Sequence, residues 1–132
     1  MFVAAIDAIV VKFQNIGYLN DRNYAEMRAG SLFRRGSSMR SIRYQLSMKG
    51  IARDVIDAVI SKLMEEQPNP DRHAAVAYGK RRRIGPWRRE LRDEFRDRDL
   101  AALGRQGFSY EVARWVVEAE TPDELEAFTD NE

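Results

Sequence analysis

The chain carries few side chains able to make or break a bond. His73 is its only histidine, there is no cysteine, and no HExxH pair occurs. Neither a metal-ligand set nor a general base with a partner is therefore in view. His73 reads more simply as a half-exposed residue on a helix. No glycine-rich loop followed by a lysine is present, so nucleotide hydrolysis is not expected. Asp7 and Asp57 occupy equivalent places beside apolar stripes, where capping or ion pairing fits better than acid–base work. The expectation is a protein that is not an enzyme and takes no cofactor and no metal.

Cations are the other chemistry on offer. The net charge of +1 hides a strong polarity along the chain. From Met27 to Arg53 there are seven basic residues and no acid, and from Lys80 to Arg89 there are six more, again without an acid. After Arg114 seven acids follow and no base. Such clusters are what a phosphate backbone or an acidic groove would feel. The candidate partner or nucleic-acid contacts are Arg34, Arg35, Arg40, Arg43, Lys49, Lys80, Arg81, Arg82, Arg83, Arg88 and Arg89. Arg34 and Arg35 close a helix, a position that suits cations at the negative end of its dipole as well as it suits binding. Arg40 and Arg43 lie one turn apart and project outward with Lys49, a geometry in which guanidinium groups reach phosphates or carboxylates. The run from Lys80 to Arg83 is either a solvated face or a contact surface. Trp87 sits among arginines and is able to stack on a base, although burial against the neighbouring helix is the favoured expectation. Trp115 reads as core, and Met27, Met39, Met48 and Met64 read as gap fillers between helices.

The elements that would position these groups repeat along the chain. The segment from Ala5 to Phe13 (AIDAIVVKF) reappears as Val55 to Leu63 (VIDAVISKL), fifty residues on. Leu46 to Val55 (LSMKGIARDV) lines up with Leu103 to Val112 (LGRQGFSYEV), fifty-seven residues on, so the last unit is lengthened between Lys80 and Leu100. Each unit reads as three short helices. In the central one, helix A spans about Asn23 to Arg34, capped by Asp21 or Asn23 and stopped by Gly36. Ser37 or Ser38 caps helix B, whose Met39, Ile42 and Leu46 share a face, and Gly50 ends it. Helix C spans about Arg53 to Glu66, with Val55, Ile56, Val59, Ile60 and Leu63 as its apolar stripe. Gly107-Phe108 repeats the break, and Ser109 caps the helix that carries Val112, Trp115 and Val116. Near the start, Phe2, Ile6, Ile9, Val10 and Phe13 form a further stripe on a helix ending by Gly17. No strand-like alternation appears.

The expected architecture is all-α, with tandem three-helix repeats of which the first is reduced to its last helix. Residues 1–20 hold that helix, 21–67 the second repeat, 68–120 the lengthened third, and 121–132 an acidic tail expected to be frayed in part. With no cysteine and no apolar run long enough to span a bilayer, the expected setting is the cytoplasm, away from membranes.

Several of these stretches together resemble the RecX family of recombination regulators. They are Gly17 to Ala25 (GYLNDRNYA), Arg35 to Ser38 (RGSS), Ile42 to Leu46 (IRYQL), Lys49 to Ile51 (KGI), Val55 to Ala58 (VIDA) and the closing Leu103 to Val112. The likeness runs over about residues 5–117 in order. What it implies is an all-α protein of three-helix repeats that binds the RecA–DNA filament in or near its groove. It also implies suppression of RecA's ATP hydrolysis and strand exchange, with single- or double-stranded DNA as a further partner. The start departs from the family pattern, because the two leading helices of the first repeat are missing. The competing expectation is a small helical DNA-binding module independent of RecA, in which helices A and B mimic a helix-turn-helix with Arg40 and Arg43 facing a groove.

Overall fold

No proline interrupts the first thirty-four residues. The computed structural model describes residues 2–130, and for 2–11 and 13–15 the backbone alone; one unbroken helix, α1, runs over Phe2–Arg34. The expected stop at Gly17 and the new cap at Asp21 or Asn23 do not occur. Glycine inside a helix costs about 1 kcal/mol relative to alanine but ends it only by turning left-handed. Gly17 is not among the positive-φ glycines. Arg22 and Glu26, one turn apart at 3.0 Å, also tie together the turn where the cap was expected. The stripe of Phe2, Ile6, Ile9, Val10 and Phe13, and Asp7 with it, lies outside the residues whose side chains are described.

Helix α2 follows at Met39–Met48 and α3 at Arg53–Glu66. Their ends obey local rules. Ser38 accepts a hydrogen bond from the Ser41 amide as N-cap of α2, and Gly50 leaves the helix in a left-handed turn. The C-terminal half of α1 packs on both. Ala25, Ala29 and Leu32 meet Ile42, Leu46, Val55, Ile56, Val59 and Ile60 in one buried cluster.

A second unit stacks behind the first. Helix α4 (Pro70–Arg82) leads through a 3-10 turn (Gly85–Trp87) to α5 (Arg96–Arg105), α6 (Tyr110–Glu118) and α7 (Pro122–Asp130). Its core joins Ala74, Ala75 and Tyr78 of α4 to Leu103, Phe108, Ala113, Val116 and Val117. Trp87 packs against this cluster, its ring so close to Gly79 that a Cβ there would sit 2.8 Å from it. No strand occurs among the described residues.

The acidic segment from Thr121, expected to fray, is helical to Asp130. Leu125 is buried in the second core, and Phe128 meets Trp115 edge-on at 5.0 Å. The apolar pair, three residues apart, gives this short helix a face to bury, which composition alone conceals.

Polar and glycine contacts join the two units. Ser38, fully buried, donates its hydroxyl to the Gln106 carbonyl at 2.7 Å. The Met39 amide donates to Asp71 at 2.8 Å. Gly36, at φ +99°, lies so close to α4 that a Cβ would fall 2.6 Å from the Tyr78 amide nitrogen. Gly107, at φ +92°, meets Ser38 in the same way, with 2.5 Å left to the hydroxyl. Both positions need glycine for conformation and for space.

Candidate functional site

The unit-to-unit seam decides where the cations go. Arg35 precedes Gly36, the residue pressed on Tyr78, while Arg81 and Arg82 stand 5.8 and 5.9 Å from the Tyr78 ring. Arg34, Arg35, Arg81, Arg82 and Arg83 are all exposed, and among the described residues none has a carboxylate partner. Clusters some forty-five residues apart in sequence thus converge at one junction. Arg34 and Lys80 further border a cleft of about 320 Å³ between α1, α4 and α7. Lys80 is not free there, because Glu126 of α7 holds it at 3.1 Å.

On α2, Arg40 and Arg43 are both exposed, as is Lys49 just beyond the helix, yet they differ. Arg43 binds Asp57 of α3 at 2.5 Å, so the carboxylate expected to pair or cap takes one of the expected contacts. Arg40 has no such partner among the described residues.

Arg88 turns inward. Its guanidinium binds Asp99 through two hydrogen bonds, of 2.7 and 2.6 Å, and Asp99 also accepts from the Gly85 amide at 3.1 Å. Asp99 is only 2% exposed. This hydrogen bond to Asp99 raises the Arg88 pKa above its ordinary value, against the opposing effect of burial. Arg88 therefore braces the lengthened segment, while Arg89 beside it stays exposed. Trp87 is partly buried against the second core, as expected, with its indole nitrogen buried and without a hydrogen-bond partner.

Neighbouring arginines the sequence did not single out act similarly. Arg92 caps the C-terminal end of α6, donating to the carbonyls of Val117 (2.7 Å), Ala119 and Glu120 (3.2 Å). Arg72 lies 4.6 Å over the Trp115 ring. Arg96 and Arg114 both bind Glu118, whose carboxyl is held below the usual range first by the Arg96 bond and then by the Arg114 bond. His73 is half-buried, hydrogen-bonded to Gln67 at 2.9 Å and 5.4 Å from the Phe128 ring.

Sequence reasoning missed the cleft between α2 and the end of α5. Tyr44 stands there 64% exposed, together with Arg40, Arg105 and Gly104. The signal was available. Arg40 and Tyr44 are four residues apart, hence neighbours on one helix face.

An all-α chain of stacked three-helix units, with exposed cations near the place where the units meet, defines a helical-repeat protein. The comparisons with known proteins show which family it falls in. A family model described as the second three-helix domain of RecX matches residues 20–60. A protein of Myxococcus xanthus named "Regulatory protein RecX" is 38% identical over 119 residues, 89% of this chain and 63% of the relative. One of the same name from Agrobacterium fabrum is 36% identical over 126 residues, 94% of this chain and 65% of the relative. The chain belongs to the RecX family, and it spans just under two thirds of the length of these two relatives. No solved structure gives a significant match. No described helix is long and apolar enough to cross a membrane.

Proposed function

We propose that this chain is a cytoplasmic regulator of RecA that binds the RecA–DNA filament and inhibits its ATPase and strand exchange during recombination and DNA repair. The relatives' name supports the regulatory half of this reading. The observation that carries the rest is the approach of Arg35, through its neighbour Gly36, and of Arg81 and Arg82 to Tyr78 on the seam between the units, with exposed Arg34 and Arg83 next to them in sequence. A filament of protein and DNA presents phosphates and carboxylates along a groove, and exposed, unpaired guanidinium groups are suited to both. Arg89, Arg40 and Lys49 extend the surface, while Arg43, Lys80 and Arg88 are engaged within the chain and contribute less. Inhibition follows from occupancy, because a body lodged in the groove blocks the second DNA and the subunit movements that accompany hydrolysis.

Titration of the purified protein into RecA turning over ATP on single-stranded DNA tests this. Hydrolysis should fall and saturate. Reversing Arg35, Arg81 and Arg82 to glutamate should raise the concentration needed by roughly tenfold or more, chiefly through slower association. Full turnover at saturating protein, with no co-sedimentation on the filament, would overturn the proposal.

A further inference from the structure

We infer that the cleft between α2 and the C-terminal end of α5 is a subsite for single-stranded nucleic acid, in which Arg40 and Arg105 hold a phosphate and Tyr44 stacks on the adjoining base. This rests on the reading above only in taking DNA as a partner; it shares Arg40 with the surface described there, while Tyr44 and Arg105 belong to the cleft alone.

The cleft has a volume of about 340 Å³, and no acidic residue lines it. Its two guanidinium groups come from different units, Arg40 from the first turn of α2 and Arg105 from the last turn of α5. Neither has a carboxylate partner among the described residues, unlike Arg43 one turn further along α2, which Asp57 holds. Gly107 of the second unit lies beside the base of Arg40, since a Cβ on Gly107 would fall 3.5 Å from the Arg40 Cβ.

Arginine pairs alone suit a carboxylate as well as a phosphate, so the remaining lining decides the class. Tyr44, one helical turn from Arg40, leaves 64% of its surface open, and its amphipathic ring offers a face to a planar partner. Gly104 is exposed, and a side chain built on it would meet nothing within 4 Å, so a sugar–phosphate backbone can approach the α5 end closely. Gly104-Arg105-Gln106-Gly107 at a helix–helix turn is also the kind of short glycine-flanked segment against which nucleic-acid backbones are clamped elsewhere. A cation pair, a stacking ring and a bare backbone together match one nucleotide and its phosphate. Stacking needs an unpaired base, which selects a single strand over a duplex.

Fluorescence anisotropy of a labelled oligothymidylate, without RecA, tests the subsite on the full chain. Tyr44→Ala should weaken binding about tenfold, and Tyr44→Phe should stay within about twofold, because the ring and not the hydroxyl does the stacking. Arg105→Ala should weaken binding and flatten the logarithmic salt dependence by about 0.7. Both positions are exposed, and circular dichroism verifies that the variants fold. The inference is overturned if the wild type does not bind, if Tyr44→Ala binds as well as wild type, or if a polyglutamate peptide binds the cleft and the oligonucleotide does not. Running RecA ATPase inhibition on the same proteins separates the two claims. Inhibition without Tyr44-dependent oligonucleotide binding removes the subsite alone, and Tyr44-dependent binding without inhibition removes the regulatory reading alone.

Discussion

The arginines that brace the fold lie mostly in the second three-helix unit, although Arg81, Arg82 and Arg83 there face solvent and Arg43 in the first is held by Asp57. In the second, Arg88 runs into a buried carboxylate, Arg92 closes a helix end, Arg72 covers a tryptophan, and Arg96 and Arg114 share Glu118. In the first, Arg34, Arg35 and Arg40 face solvent with no carboxylate partner among the described residues. The second unit carries the lengthened loop and the extra helix α7, which leave ends and gaps for long polar side chains to close. The first has simpler turns, and its core of Ile42, Leu46, Val55 and Val59 closes without them. A charge run therefore says little by itself about whether its members brace the fold or meet a partner.

Substitution should expose that contrast most sharply at Asp99. Asp99→Ala leaves Arg88 and the Gly85 amide facing an empty site and should cost about 3–5 kcal/mol in urea unfolding. Arg40→Ala should stay within about 0.5 kcal/mol in the same assay. Equal losses at the two positions would erase the distinction between bracing and outward arginines. Next in size, Gly36→Ala puts a methyl group against the Tyr78 backbone at positive φ and should cost about 2 kcal/mol, read as a lowered melting temperature. A smaller effect compares the two serine caps. Ser38→Ala loses both the cap and the bond to Gln106 and should cost about 1–2 kcal/mol, whereas Ser109→Ala, at an exposed cap, should cost about 0.5 kcal/mol.

The smallest effect is electrostatic. Glu118 is held below the usual carboxylate range by its hydrogen bonds to Arg96 and Arg114, and Glu26 by its hydrogen bond to Arg22. Both are depressed in the folded state, so their stabilisation is complete above the ordinary glutamate value and is lost as pH falls through the lowered ones. Glu118→Gln should lower the melting temperature slightly at neutral pH and flatten the acid limb of its pH profile, so that variant and wild type converge well below pH about 4.5. An unchanged acid limb would show that the Arg96–Glu118–Arg114 cluster adds nothing to the second unit.

Much of the fold was legible because local rules governed it. Ser38 and Ser109 as caps, Gly50 and Gly107 as stops, the bounds of α3 and its buried stripe all follow from residues within one or two turns. The length of α1 was not legible, since Gly17 is a weak breaker and nothing near it forces a left-handed turn. Helix α7 was overlooked although Thr121-Pro122-Asp123-Glu124 carries a start signal, a threonine three residues before a glutamate with proline in the first turn. The acids around Leu125 and Phe128 masked a buried face. Candidate site residues were the hardest to sort. Arg88 and Asp99 are eleven residues apart across an irregular segment, and Arg43 and Asp57 sit on different helices. No periodicity reports such pairings, because they depend on the three-dimensional path of the chain.

Phe33, partly buried, packs against both hydrophobic clusters at once. A side chain shared in this way couples the free energies of neighbouring modules, so that neither melts without loosening the other. The array should therefore lose structure as a single cooperative event and present its outward surface as one stiff body, with little freedom for its halves to swivel while a partner is engaged.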